Sequence, residues 1–143
     1  MIVQSLVLFV HVVGVLGLFA GLALEAFGIE RARKAVPRLS GIAVALTVVS
    51  GFYLGARFGV LGDDWMRASY GAIVLMAAAG ALARRSEALM RISLQVRTAL
   101  GLVVVFLMIA KPDAVVSVTV IGLALVGATL KLPRRRRVHF SHV

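Results

Sequence analysis

A long apolar segment at the start of the chain constrains its fold more than any other feature. Residues 2–24 are almost continuously apolar, with only three polar side chains, which are Gln4, Ser5 and His11. An α-helix rises about 1.5 Å per residue, so this segment is long enough to cross a hydrocarbon core of about 30 Å. Because no basic segment precedes it and no small-residue cleavage pattern follows it, we expect a retained membrane span and not a signal peptide.

Composition extends this membrane assignment to the rest of the chain. Of the 143 residues, 61% are hydrophobic and only 15% are charged, and the mean hydropathy is +1.01. A soluble domain contains roughly 45–50% apolar residues, so these values exclude a water-soluble enzyme and a disordered chain. Cysteine is absent, which removes disulfides, thiolate metal sites and cysteine nucleophiles.

Four further apolar segments predict an all-α transmembrane helical bundle with five spans. They cover residues 39–56, 65–83, 92–110 and 114–131. The bundle is expected over residues 1–132, followed by a basic tail at 133–143. Four spans are the alternative, with a re-entrant or broken last segment around Lys111-Pro112-Asp113, because proline disfavours helix continuation.

Basic residues predict the orientation of the bundle. The segments 28–38, 84–97 and 131–143 hold 13 of the 16 Lys and Arg residues. The positive-inside rule then places the N-terminus outside and the C-terminus in the cytoplasm. The net charge of +10 is therefore assigned to the bilayer and not to nucleic acid. Anionic lipid is the expected contact of four consecutive arginines, which are Arg134, Arg135, Arg136 and Arg137.

Glycines at helical spacing predict close helix packing. Small residues four apart share one helix face and let the backbones of membrane helices approach. The candidates lie in the first span and in and just beyond the second; they are Gly14, Gly17, Gly21, Gly51, Gly55 and Gly59.

His11 is the most informative single residue, because it lies about 14 Å along the first span, near the membrane midplane. An ionisable group there is a candidate for haem, chlorin or copper ligation or for proton transfer. The alternative is a structural imidazole that is hydrogen-bonded to a neighbouring serine, threonine or carbonyl group. Since His139 and His142 lie beyond the last span, a second ligand to a metal would be Met76, Met108 or His11 of a second copy. No metal site is predicted from spacing alone.

Lys111 and Glu25 are secondary candidates. Lys111 belongs either to a polar turn between helices or to a site that binds a carboxylate or phosphate above His11. Glu25 lies on the same helical stripe as His11, and we expect it to be solvated or paired with nearby bases, with a proton path as the alternative. Its nearby bases are Arg31, Arg33 and Lys34.

Two segments resemble a known group of proteins. The sequences FVHVVGVLGLFAG and FLMIAKPD resemble a widespread bacterial family of small predicted integral membrane proteins of unknown function. That family is distantly similar to the copper-resistance D type and to the bacterial membrane protoporphyrinogen oxidase. The resemblance implies a helical bundle in the cytoplasmic membrane of a bacterium, with His11 and Lys111 as its candidate cofactor-binding residues.

These observations favour a non-catalytic membrane subunit that packs against a partner protein or copies of itself. No phosphate-binding loop, paired intramembrane carboxylates or Ser/His/Asp arrangement is present in the sequence. The alternative is a haem- or porphyrin-binding or porphyrin-oxidising protein centred on His11. A small transporter is a weaker alternative, because few polar groups would line a path through the membrane.

Overall fold

Five α-helices make up most of the computed structural model, which describes residues 2–27, 36–83 and 87–130. The helices are α1 (Ile2–Phe27), α2 (Val36–Arg57), α3 (Asp64–Ala83), α4 (Glu87–Ala110) and α5 (Ala114–Thr129). The described ranges contain no strand. The predicted all-α helical bundle is therefore confirmed, with one helix for each predicted apolar segment.

Four of the five helices are long and apolar enough to cross a membrane. The exception is α5, which has 16 residues and a length of about 24 Å at the usual helical rise. That is shorter than a hydrocarbon core of about 30 Å. The inside–outside orientation of the bundle stays a prediction.

The fourth helix begins earlier than the sequence pattern indicates. It starts at Glu87 and runs without a break to Ala110, whereas the apolar segment was placed at 92–110. Arg97 lies inside α4, as the predicted span 92–110 already placed it. Its side chain has a partner within the bundle.

The helices pack as two antiparallel pairs. α1 packs against α2 and α3 packs against α4, while α4 also contacts α1 and α5. A central cluster of buried side chains joins α1–α4, and it consists of Leu18, Leu22, Ala43, Ala72, Met76, Leu100 and Val104. The side chains of this cluster are apolar and small to medium in size, which lets neighbouring helices approach closely.

The connection between α4 and α5 is only three residues long. Lys111 adopts a left-handed backbone conformation with φ of 46°, and its N–H donates to Leu107 O at 2.9 Å. Asp113 is the N-cap of α5, since its Oδ1 accepts a hydrogen bond from Val116 N at 2.9 Å. This cap explains why α5 begins at Ala114, after Pro112.

Candidate functional site

Glycines of α1 bring it close to α2. A Cβ atom added to Gly14 would lie 2.6 Å from Thr47 Oγ1 and 2.9 Å from Thr47 N. A Cβ atom on Gly21 would overlap Ser40 Oγ, and one on Gly17 would lie 3.2 Å from Ala43 Cβ. At Gly14 and Gly21 a side chain would force the two helices apart, because there it would meet backbone or short side-chain atoms.

The three candidate glycines in and just beyond the second predicted span lie in different surroundings. Gly51 faces the ring of His11, and a Cβ atom there would lie 3.1 Å from His11 Cε1. Gly55 faces Leu61 and Met66, at 2.8 and 2.9 Å from its added Cβ. Gly59 lies after the end of α2 with φ of +71°, and nothing lies within 4 Å of its added Cβ. Its role is therefore to form the turn, since few other residues adopt that φ.

His11 is held against α2 by its Nδ1 atom. Nδ1 lies 3.1 Å from Thr47 O and 3.1 Å from Ser50 Oγ. The ring is half-buried, and the absence of a side chain at Gly51 makes room for its Cε1 corner. The position of His11 in the packed interface thus depends on a carbonyl, a hydroxyl and a glycine of α2.

The partners of Nδ1 determine which ring nitrogen carries the proton. A carbonyl oxygen such as Thr47 O only accepts hydrogen bonds. The hydroxyl of Ser50 donates to Leu46 O, which leaves a lone pair on Ser50 Oγ for the ring. Nδ1 is therefore the N–H donor to both atoms. In the neutral ring, Nε2 then carries the lone pair, which can accept a hydrogen bond or bind a metal.

His11 lines one of two neighbouring spaces in the bundle. A groove of about 190 Å³ runs between α1 and α4. It is lined by His11, Val12, Val15, Leu16, Val105, Met108 and Ile109. A smaller void of about 30 Å³ lies deeper in the bundle and shares Val15, Val105 and Met108 with the groove. Of the two methionines considered as a second ligand, Met108 lines both spaces and Met76 lines only the inner void.

Lys111 lies away from the wall of this groove. Its Nζ is 5.8 Å from the centroid of the Trp65 ring, which is within the range of a cation–π contact. Trp65 is buried, and its Nε1 donates to Asp63 Oδ2 at 3.1 Å. Lys111 therefore belongs to a contact between the ends of α3 and α4, and the residues that line the groove do not include it.

Glu25 has a partner that the sequence analysis missed. Arg97 NH1 of α4 donates to Glu25 Oε2 at 2.9 Å and to Oε1 at 3.2 Å. Their side chains are 14% and 28% exposed, respectively. The alkyl part of Arg97 passes Gly80 of α3 at about 3.8 Å from its added Cβ. The signal in the sequence was the one charged residue of α1, Glu25, and the one charged residue within the predicted span 92–110, Arg97.

Other predicted residues fall outside the described part of the chain. They are the basic neighbours of Glu25, the four arginines of the tail, His139 and His142. Within residues 2–27, 36–83 and 87–130, no group of three or more His, Cys, Asp or Glu side chains is placed to hold a metal ion.

Comparisons of the chain with protein-family models, curated proteins and solved structures found no significant match.

Proposed function

We propose that this chain is a non-catalytic subunit of a membrane complex, formed with a partner membrane protein or with further copies of itself. The proposal includes the orientation predicted from the basic residues, in the cytoplasmic membrane of a bacterium. The resemblance in the segments around His11 and Lys111 supports this setting.

The observation that carries the proposal is the use of polar side chains to join helices. Arg97 and Glu25 connect α4 to α1, and His11 connects α1 to α2. Ser93 Oγ of α4 donates to Ala79 O of α3 at 2.7 Å. Polar contacts of this kind stabilise helix association in membranes, where burial from water supplies no driving force. Each of these side chains thus has a structural use, as expected of a rigid scaffold.

Gentle purification tests the subunit role. The tagged protein is extracted from its native membrane in a mild detergent, and its mass is measured by light scattering after size-exclusion chromatography. We expect either a defined homo-oligomer or a stoichiometric complex with a second membrane protein. A monodisperse monomer without a partner would contradict the proposal.

A second candidate function is the binding of haem or porphyrin, and the geometry of His11 favours it. A histidine that binds a metal through one nitrogen commonly donates its other N–H to a backbone carbonyl, as Nδ1 does to Thr47 O. The groove of about 190 Å³ is smaller than the roughly 300–1,000 Å³ of pockets for drug-sized ligands. A macrocycle therefore does not fit within one chain, and this candidate requires a second copy to enclose it.

An absorption spectrum separates the two candidates. Haem would give a Soret band in the purified protein, and the band would be lost in His11→Ala. Colourless protein that co-purifies with a stoichiometric partner would favour the subunit role alone. Retention of the band in His11→Ala would show that any bound haem uses other residues.

A further inference from the structure

Gln95 is a polar side chain on the outer surface of α4. It lies about 9 Å along the helix from Leu89, where the apolar part of α4 begins. Its side chain is exposed, and none of the hydrogen bonds within the described ranges involves its carboxamide. In a membrane the exposed surface of α4 faces hydrocarbon, where an amide without a hydrogen-bond partner is costly. Gln95 therefore indicates a polar partner outside this chain.

The exposed surface around Gln95 has the spacing of a helix pair. Six side chains on this surface follow one another at alternating intervals of three and four residues, and all but the half-buried Ala99 are exposed. This is the spacing of the a and d positions in a left-handed pair of helices, a common arrangement between membrane helices. The six residues, which we call the α4 seam, are Ile92, Gln95, Ala99, Leu102, Phe106 and Ile109.

A second copy of this chain would satisfy Gln95 by symmetry. Two copies inserted in the same orientation are related by a two-fold axis along the membrane normal, so their α4 helices run parallel and each seam residue meets its own counterpart. A carboxamide carries both N–H donors and a carbonyl acceptor, so two facing glutamines can donate to each other. A charged side chain at this position would repel its counterpart. Ala99, one turn further along, is small enough to let the two backbones approach.

We propose that the protein forms a homodimer in which the α4 seams of the two copies pack together and the two Gln95 side chains exchange hydrogen bonds. This inference rests on the proposed subunit role and names its surface and its partner. Arg91, one turn before Gln95, is exposed, and its long side chain can reach the lipid headgroups. Since the rest of the seam is apolar, Gln95 fixes the register of the pair, as a single polar residue does in a coiled coil.

Disulfide cross-linking in native membranes tests the seam, because the chain contains no cysteine of its own. Leu102→Cys places a thiol in the α4 seam, and Val74→Cys places one on α3. The two native side chains are similarly exposed, at 59% and 66%, and each lies near the middle of its helix. After mild oxidation we expect Leu102→Cys to give a disulfide-linked dimer and Val74→Cys to stay monomeric. Only facing positions of a close helix pair come within reach of a disulfide.

Substitutions of Gln95 test the hydrogen bonds. Gln95→Leu removes them but suits a helix surface that faces lipid, so the chain should fold, which circular dichroism checks. The association constant is measured by energy transfer between copies with C-terminal fluorescent labels in lipid vesicles. We expect Gln95→Leu to lower it about tenfold, as one or two hydrogen bonds between membrane helices would allow. Gln95→Asn keeps a carboxamide and should lower it less.

Several results would overturn the homodimer. They are equal cross-linking of Leu102→Cys and Val74→Cys, no cross-link from Leu102→Cys, a cross-link from Leu102→Cys to a different protein, and an association constant that Gln95→Leu leaves unchanged. The subunit role is judged separately. A chain that fails these tests but co-purifies with a stoichiometric membrane partner loses the α4 interface and keeps that role, whereas a monodisperse monomer without a partner loses both.

Discussion

Arg97 of α4 and Glu25 of α1 form an ion pair with an N–O distance of 2.9 Å, although 72 positions of sequence separate them. Glu25 is the one charged residue of α1, and Arg97 is the one charged residue of α4 between Ile92 and Ala110. A lone charge inside a span is costly, and a partner of opposite sign reduces that cost. The pair therefore joins α4 to the α1–α2 pair of helices.

Removing one member of this pair should destabilise the bundle more than removing both. Glu25→Gln leaves the guanidinium of Arg97 without its counter-charge, and we expect a loss of about 2 kcal/mol, below the 3–5 kcal/mol of fully buried pairs. Glu25→Gln combined with Arg97→Met should recover most of that loss. Thermal unfolding in detergent measures the difference.

A neighbouring arginine provides the control for this prediction. Arg91 lies on the same helix but is exposed, so Arg91→Met should change the melting temperature little. If Glu25→Gln and the double variant melt at the same temperature as the unmodified protein, the ion pair contributes nothing to stability.

The positions of the helices could be predicted because each apolar segment is long compared with the bilayer. The start of α4 at Glu87 could not, because Glu87 and Arg91 are charged and the apolar segment begins only at Ile92. The contact of Arg97 with Glu25 could not be predicted either. That contact depends on which faces of α1 and α4 meet, and neither helix determines this alone. A local sequence pattern therefore cannot predict which charged residues of distant helices pair with each other.

The surroundings of His11 were only partly predictable. Its depth follows from its position in the first span, and the classes of its partners, hydroxyl and carbonyl, follow from the composition of membrane helices. Its particular partners, Thr47 O and Ser50 Oγ, depend on the register between α1 and α2. That register is set by the contact of Gly14 with Thr47, and contacts between helices are not encoded in the periodicity of either one.

Gly14→Ala should destabilise the protein, whereas Gly71→Ala should not. The new methyl group of Gly14→Ala would lie 2.9 Å from the backbone nitrogen of Thr47, and relief requires the helices to separate, at about 1–3 kcal/mol. Nothing lies within 4 Å of an added Cβ at Gly71, so alanine there should stabilise α3 by up to about 1 kcal/mol. Opposite shifts in the thermal unfolding midpoint are expected. Equal shifts in the two variants would contradict a packing role for Gly14.

Replacements of Lys111 should separate backbone strain from the contact with Trp65. Lys111→Ala still has a Cβ atom, so it keeps the strain of the left-handed backbone conformation. It loses the cation–π contact with Trp65, which is worth about 0.5–1 kcal/mol at an exposed site. Lys111→Gly loses the same contact but relieves roughly 1–2 kcal/mol of strain. We therefore expect Lys111→Gly to be at least as stable as the unmodified protein and Lys111→Ala to be less stable. Equal stability of the two variants would contradict the strain at this position.

The orientation of the bundle can be tested with paired reporters, one active only in the cytoplasm and one active only outside it. Fusions after Lys34, after Glu87 and at the C-terminus should report the cytoplasm, and fusions within residues 60–64 should report the outside, because basic residues are retained on the cytoplasmic side. The C-terminal fusion is decisive for α5, since 16 residues cross the core only if the bilayer thins locally around the helix. An outside C-terminus would leave four spans. A cytoplasmic location of Asp63 would invert the orientation altogether.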